Sequence, residues 1–173
     1  MVTLCQSCYV LNVKSILYIE DSASVKLMVN KQLAKLGDIS AASNLREGRR
    51  LLRERSFDLL FSDVYLPDGD ALELVFELRK QFSPQQFPVI LVSAAMDQLL
   101  RAKSFRVGVN DCFPMPTPWP ELLGAVERML EHPYIGSANL EGVAETWVEG
   151  MSDSGFWLFC PEWTETNETF ERL

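Results

Sequence analysis

Histidine and paired cysteines are nearly missing from this chain, and that removes a class of metal chemistry. His132 is the only histidine, at the end of an expected helix. The four cysteines (Cys5, Cys8, Cys112, Cys160) make no disulfide framework in a chain of 173 residues. Cys5 and Cys8 form one Cys-x-x-Cys pair, but no second pair and no nearby histidine completes a zinc site. They read as ordinary thiols near a terminus. No apolar run approaches the roughly 20 residues of a membrane span. The first ten residues hold no Lys or Arg, which argues against a signal peptide. No membrane association is expected, and the cytoplasm is the expected compartment.

A basic surplus is missing too. With 47% hydrophobic and 23% charged residues the chain reads as globular, yet its formal net charge is −8. Residues 133–173 carry −7 of that, from eight acids against the single base Arg172. Neither part has the basic stripe that binding a phosphate backbone requires, so direct nucleic-acid contact is not expected.

What is present is alternation. Ser15–Glu20 (SILYIE) is a strand-length apolar run ending in Glu20 and Asp21. Ser22 can cap a helix carrying Val25, Met28, Val29, Leu33 and Leu36 at helical spacing, with Gly37 as its stop. Ile39–Ala42 reads as a strand, Leu45–Arg55 as a helix rich in arginine, and Asp58–Ser62 as a third strand. A helix follows over Ala71–Phe82, and Pro88–Ala94 is an unbroken apolar strand, the pattern of a sheet covered on both faces. A fourth helix up to Gly108, the short strand Cys112–Met115 and a helix over Glu121–His132, opened by Pro120, complete the series. Five strands alternating with five helices predict an α/β fold, a doubly wound five-stranded parallel sheet, over 15–132. Residues 1–14 form an N-terminal extension. Residues 133–173 form an acidic, tryptophan-rich tail or the start of a further region, with two short strands expected around a Ser-Asp-Ser-Gly turn.

Acids cluster in "FDLLFSDVYLPDGDALEL" (57–74), where Asp63, Asp68 and Asp70 lie within eight residues. They repel one another and are tolerable where water, helix N-termini or a cation meets them. In a doubly wound sheet the ligand site lies beyond the carboxyl ends of the strands, where strand order reverses. Glu20, Asp21, Asp63 and Ser93 all fall at that end of their strands. Carboxylates there suit a hard cation such as Mg²⁺, and one of them can be a nucleophile toward a phosphoryl group.

Four segments together resemble the receiver domains of two-component response regulators, the CheY-like, flavodoxin-like (βα)5 fold. They are "IED" (19–21), "DVYLPDGDALEL" (63–74), "VSA" (92–94) and "GVNDCFPMP" (108–116). The resemblance implies Asp63 as phosphoacceptor and Ser93 as switch hydroxyl. It also implies Mg²⁺ on Asp21, Asp63 and the backbone carbonyl of Tyr65, with Glu20 assisting through water. A histidine kinase or phosphotransfer protein would supply the phosphoryl group. Output would pass to a downstream protein, through the face of the fourth helix, fifth strand and fifth helix or through the tail, with a homodimer as one form.

Two positions depart from the family pattern. Met115 stands where most receivers have Lys before a Pro that follows a cis bond, and Cys112 stands where an aromatic switch is common. Met brings neither charge nor donor. The missing ammonium–phosphoryl contact would be worth about 2–3 kcal/mol. Apart from this, Met115 is able simply to fill the space of a lysine stem. Two other readings stand beside the phosphoacceptor. One is a pseudo-receiver, a binding module that signals without phosphorylation. The other, a phosphatase of the haloacid-dehalogenase type, needs a second Asp two residues after the nucleophile, where Tyr65 stands. The expected role is thus a signalling domain rather than an enzyme.

Overall fold

The structure, a computed structural model, describes residues 13–133 and the backbone of 148–152 and 155–159. Cys5, Cys8, Trp147, Trp163 and the side chain of Trp157 lie outside the described residues. Strands β1 (Ser15–Ile19), β2 (Asp38–Ala42), β3 (Leu59–Asp63), β6 (Val89–Ser93) and β7 (Asp111–Pro114) form one parallel sheet in the order β2-β1-β3-β6-β7. The helices are α1 (Ala23–Leu33), α2 (Leu45–Glu54), α3 (Ala71–Arg79), α4 (Gln98–Arg106) and α5 (Trp119–Glu131). Between β3 and α3 the chain makes a small antiparallel ladder, β4 (Tyr65–Leu66) with β5 (Gly69–Asp70). Farther on, β8 (Val148–Ser152) and β9 (Gly155–Phe159) pair antiparallel. Among the described residues no helix is long and apolar enough to cross a membrane.

The doubly wound arrangement follows from strand periodicity. Leu17 and Ile19 of β1 point to one face, where they pack with α2, α3 and α4 through Leu45, Leu74, Val75, Leu78, Leu100 and Phe105. Ile16 and Tyr18 point to the other, against Val29 and Leu33 of α1 and Leu122, Val126 and Met129 of α5. Both faces are thus covered, which is why β1 and β6 are apolar at nearly every position. The chain moves from β1 outward to β2, then back across β1 to β3. Right-handed crossovers therefore put α1 and α2 on opposite faces.

Two local expectations are corrected. Helix α1 ends at Leu33, and Gly37 does not stop it. Gly37 is needed because Asp38 N–H donates to the Lys14 carbonyl at 2.7 Å, so the backbone passes where a Cβ would collide with that oxygen. Met28, placed by spacing on the apolar stripe, is 48% exposed.

At the amino-terminal end of the sheet Arg79 is buried at the last turn of α3. Its guanidinium donates to the carbonyls of Gly108 (2.8 Å), Phe87 (2.9 Å) and Phe82 (3.4 Å) and to Asn110 Oδ1 (3.2 Å). Burial draws its pKa down to about 10, so it remains charged at neutral pH. Asn110 extends the clasp by accepting from Val89 N–H (2.9 Å) and donating to the Pro84 carbonyl (3.0 Å). Gly108 has φ +91, and a Cβ there would press on Arg79. Removing the guanidinium leaves several buried acceptors unpaired, each costing about 1–3 kcal/mol. Arg79→Met, which keeps the apolar stem, is expected to lower the unfolding free energy by about 2–4 kcal/mol, read as a fall in the urea midpoint at unchanged slope.

Candidate functional site

Parallel pairing of β1 with β3 sets Ile19 beside Ser62, so the next residues, Glu20 and Asp63, leave the two strands side by side. Asp21 follows on the loop into α1. One carboxylate oxygen from each of Glu20, Asp21 and Asp63 lies within 4.8 Å of the others. Ser93 closes β6, whose Val92 is in register with Asp63. The site sits at the point where strand order reverses, between β1 and β3, as expected for this topology.

Each carboxylate near the "LPDGD" turn has its own solution. Asp70 caps α3 by accepting from Leu72 N–H at 2.8 Å. Asp68 reaches across to α2 and accepts from the first amides of that helix, Leu45 N–H at 2.8 Å and Arg46 N–H at 2.9 Å. Slight burial works against the charged form of Asp68, but the Arg46 and Leu45 amides win and hold its pKa below the ordinary range. Asp63 is only partly relieved, by the amides of Val64 and Tyr65. Its Oδ1 is buried and receives no hydrogen bond within the protein.

Burial raises the Asp63 pKa above its ordinary value. The amides of Val64 and Tyr65 oppose that rise, and the Asp21 charge adds to it. Glu20, 5% exposed, is likewise raised by burial, against the stabilising Ser22 amide. Ser22 N–H donates to Glu20 Oε1 at 3.0 Å, and the Tyr18 hydroxyl donates to Oε2 at 3.2 Å. Burial and the Glu20 charge together raise the Tyr18 phenol, which therefore stays protonated and remains a donor. Tyr18 is the member of the site that sequence reading missed. The period of two that puts Tyr18 and Glu20 on one side of β1 was the available signal.

The other expected residues divide. Ser93 is buried, its Oγ accepting from Ala95 N–H at 3.2 Å and its carbonyl from Met115 N–H at 2.9 Å. The backbone of Tyr65 begins β4 beside Asp63, while its side chain is 54% exposed. The Met115–Pro116 peptide is cis. The Met115 side chain, however, packs on the apolar layer of α1 and α5. Cys112 is fully buried in the opposite layer, and burial pushes its thiol up to about 12, so it is an inert core thiol. Of the expected partner face, Leu100, Phe105, Leu122, Val126 and Met129 are core, whereas Leu99 and Lys103 are exposed. Trp119 is half-buried against the layer of α1 and α5.

The donor set suits a hard divalent cation. It offers three carboxylates, and one buried oxygen lacks any protein donor.

Comparison with known proteins agrees with this geometry. Residues 16–127 match the family model of the response regulator receiver domain. The DNA-binding transcriptional regulator NtrC of Rhizobium meliloti (strain 1021) is 29% identical over 128 residues, covering 73% of this chain and 26% of that protein. The transcriptional regulatory protein GltR of Pseudomonas aeruginosa is 27% identical over 120 residues, covering 69% of this chain and 50% of that protein. Among solved structures, the BeF3-activated DrrB receiver domain superposes with a TM-score of 0.63 at 26% identity, over 69% of this chain and 99% of that one. The chain thus spans a quarter to a half of the curated relatives cited here.

The raised pKa values have a sign. Asp63 and Glu20 hold protons more tightly folded than unfolded. Their stabilising contribution is therefore complete below the ordinary carboxylate values and is lost as pH rises through the folded ones. Asp68 works the other way, stabilising at neutral pH and losing that contribution in acid. In metal-free protein Asp63→Asn is expected to match the wild type below the ordinary carboxylate range and to exceed it in stability as the pH rises above that range. Thermal unfolding of both proteins from below that range to above it checks this. An advantage independent of pH would contradict the assignment.

Proposed function

The chain belongs to the response regulator receiver domain family, and from that premise we propose that Asp63 is the phosphoacceptor of a two-component phosphorelay. The observation that carries the reading is the buried, donorless Asp63 Oδ1 set among the Glu20 and Asp21 oxygens at the switch point of the sheet. A phosphohistidine on a histidine kinase or phosphotransfer protein is the donor. An Asp63 carboxylate oxygen attacks phosphorus, and the new O–P bond forms as the N–P bond breaks. The imidazole nitrogen leaves with the electron pair. Because the nucleophile must be ionised, the raised Asp63 pKa makes its reactivity depend on whatever neutralises the cluster. Asp21, Asp63 and the Tyr65 carbonyl would hold Mg²⁺, with Glu20 assisting through water. When bound, the ion neutralises charge on the carboxylates and on the transferred oxygens.

Downstream of the chemistry, the path differs from the family pattern. Ser93 can turn its hydroxyl from the Ala95 amide toward a phosphoryl oxygen. The Ser93 carbonyl holds the Met115 amide, so motion of that strand end reaches the loop before α5 through this backbone hydrogen bond. With Met115 seated on apolar side chains and Cys112 in the core, neither supplies the cation or the rotating ring of the usual switch. That same packing favours the second reading, a pseudo-receiver that signals without phosphate. In either case the output is altered protein contacts, with the α4–β7–α5 face, where Leu99 and Lys103 are among the exposed residues, or the tail, as the surface. A homodimer is one such contact. The cytoplasm is the proposed compartment.

Intact-protein mass after incubation with a small phosphodonor and Mg²⁺ decides between the two. One added phosphoryl group is expected on the wild type and none on Asp63→Ala, with the variant still folded. No addition to the wild type would leave the pseudo-receiver. Mg²⁺ at ten times its dissociation constant is expected to stabilise the wild type by about 1.4 kcal/mol, and Asp63→Asn by much less. Met115→Lys is expected to leave phosphorylation intact and enlarge the phosphorylation-dependent change in amide exchange around Ser93 and α4.

A further inference from the structure

At the amino-terminal end of the sheet, opposite the acidic site, a cleft of about 310 Å³ opens between the end of α2 and the loop before β6. Phe57, Phe82 and Phe87 give it an aromatic lining, and Arg53 and Arg55 stand at it as basic groups. Phe82 is 43% exposed and meets Phe87 edge-on at 5.9 Å. The Arg55 guanidinium lies 4.8 Å above the Phe57 ring, and its nearest acid is Asp38 at 3.9 Å. Arg53 is exposed and has no ion pair among the described residues. The one acid in the lining, Glu54, is taken by Arg50 at 2.7 Å. The phosphoryl chemistry uses none of these groups. An aromatic floor beside the Arg53 guanidinium, which has no ion pair among the described residues, and the Arg55 guanidinium stacked on Phe57 suits an acidic peptide with aromatic side chains.

Such a peptide is attached nearby. Helices run opposite to strands in this fold, so α5 ends at the same edge of the sheet as the cleft. Pro133 leaves that edge, and the 40 residues after it carry eight acids, one base and Trp147, Trp157 and Trp163. Near the end, Glu162, Glu165, Glu168 and Glu171 recur every third residue around Trp163 and Phe170. Fully extended, the stretch 134–147 that leads to β8 reaches on the order of 50 Å, about three times the ~14 Å radius of gyration of a domain this size. We infer that the acidic, aromatic segment 134–173 docks in cis on the Arg53–Arg55 cleft, placing its indoles against the phenylalanine floor. The segment and the basic end of α2 then form an intramolecular contact at the end of the sheet opposite Asp63.

The test uses the full chain labelled with 5-fluorotryptophan, which gives four ¹⁹F resonances, each assigned by a single Trp→Phe change. Arg53 and Arg55 are exposed, so the double variant R53E/R55E is expected to fold, with its thermal midpoint as the control. At least one resonance from Trp147, Trp157 or Trp163 is expected to move toward the free-indole position in that variant, while Trp119 stays. Raising the ionic strength to about 1 M, where charges are screened beyond about 3 Å, is expected to move the same resonance the same way. Changing Glu162, Glu165, Glu168 and Glu171 to Gln, which leaves the domain untouched, is expected to do likewise. Identical spectra for the wild type and both variants would overturn the inference. So would a shift that disappears on dilution together with a halving of the molecular mass, because the contact would then be between two copies.

Discussion

The pairing of β1 with β3 is the constraint on which the rest of this molecule depends. Both strands are sealed on both faces, Ile16 to Ile19 and Leu59 to Ser62 having 1% exposure or less. A slip of one residue would exchange the two faces of a strand, driving Tyr18 into the layer of α2 and α3 and opening the layer of α1 and α5. Register is therefore held by apolar burial, and the acids merely inherit it. Glu20 and Asp63 stand together because Ile19 and Ser62 do. The hydrophobic sheet thus supplies the work of holding like charges side by side.

That work explains why the acids beyond the strand ends are treated so differently. Asp68, Asp70 and Asp97 each meet a helix N-terminus, where unpaired amides and the helix dipole welcome negative charge. They help to fold the chain. Asp63 and Glu20 are held where burial disfavours their charge, and their raised pKa values are the signature of a site kept at some expense to stability. The contrast separates residues that build the domain from residues that the domain builds for a task. At the far end of the sheet Arg79 does the reverse, its buried charge spread over backbone carbonyls that tie α3 to the loops before β6 and β7.

Met115 and Cys112, the two departures from the family pattern, are held by apolar packing. Cys112 is buried in one layer and Met115 packs, partly buried, on the other, and the Ser93 carbonyl meets the Met115 amide in a backbone hydrogen bond. A backbone link transmits displacement but adds no attraction of its own for a phosphoryl group.

The sequence by itself determined the alternation of strands and helices and the gathering of Glu20, Asp21, Asp63 and Ser93 at one rim. Both follow from local periodicity together with the handedness of βαβ connections, which need no coordinates. It also placed Ser22 and Asp70 at helix starts, because a cap acts within three residues. The tertiary structure alone decided that Asp68 serves α2, 23 residues earlier in the chain, and that Tyr18 steadies Glu20. It decided too that Gly37 answers to Lys14 instead of ending a helix, and that Met115 packs against the apolar layer of α1 and α5. Those are matters of which surfaces meet, and surfaces meet according to register and crossover, which residue spacing along one strand or helix does not record.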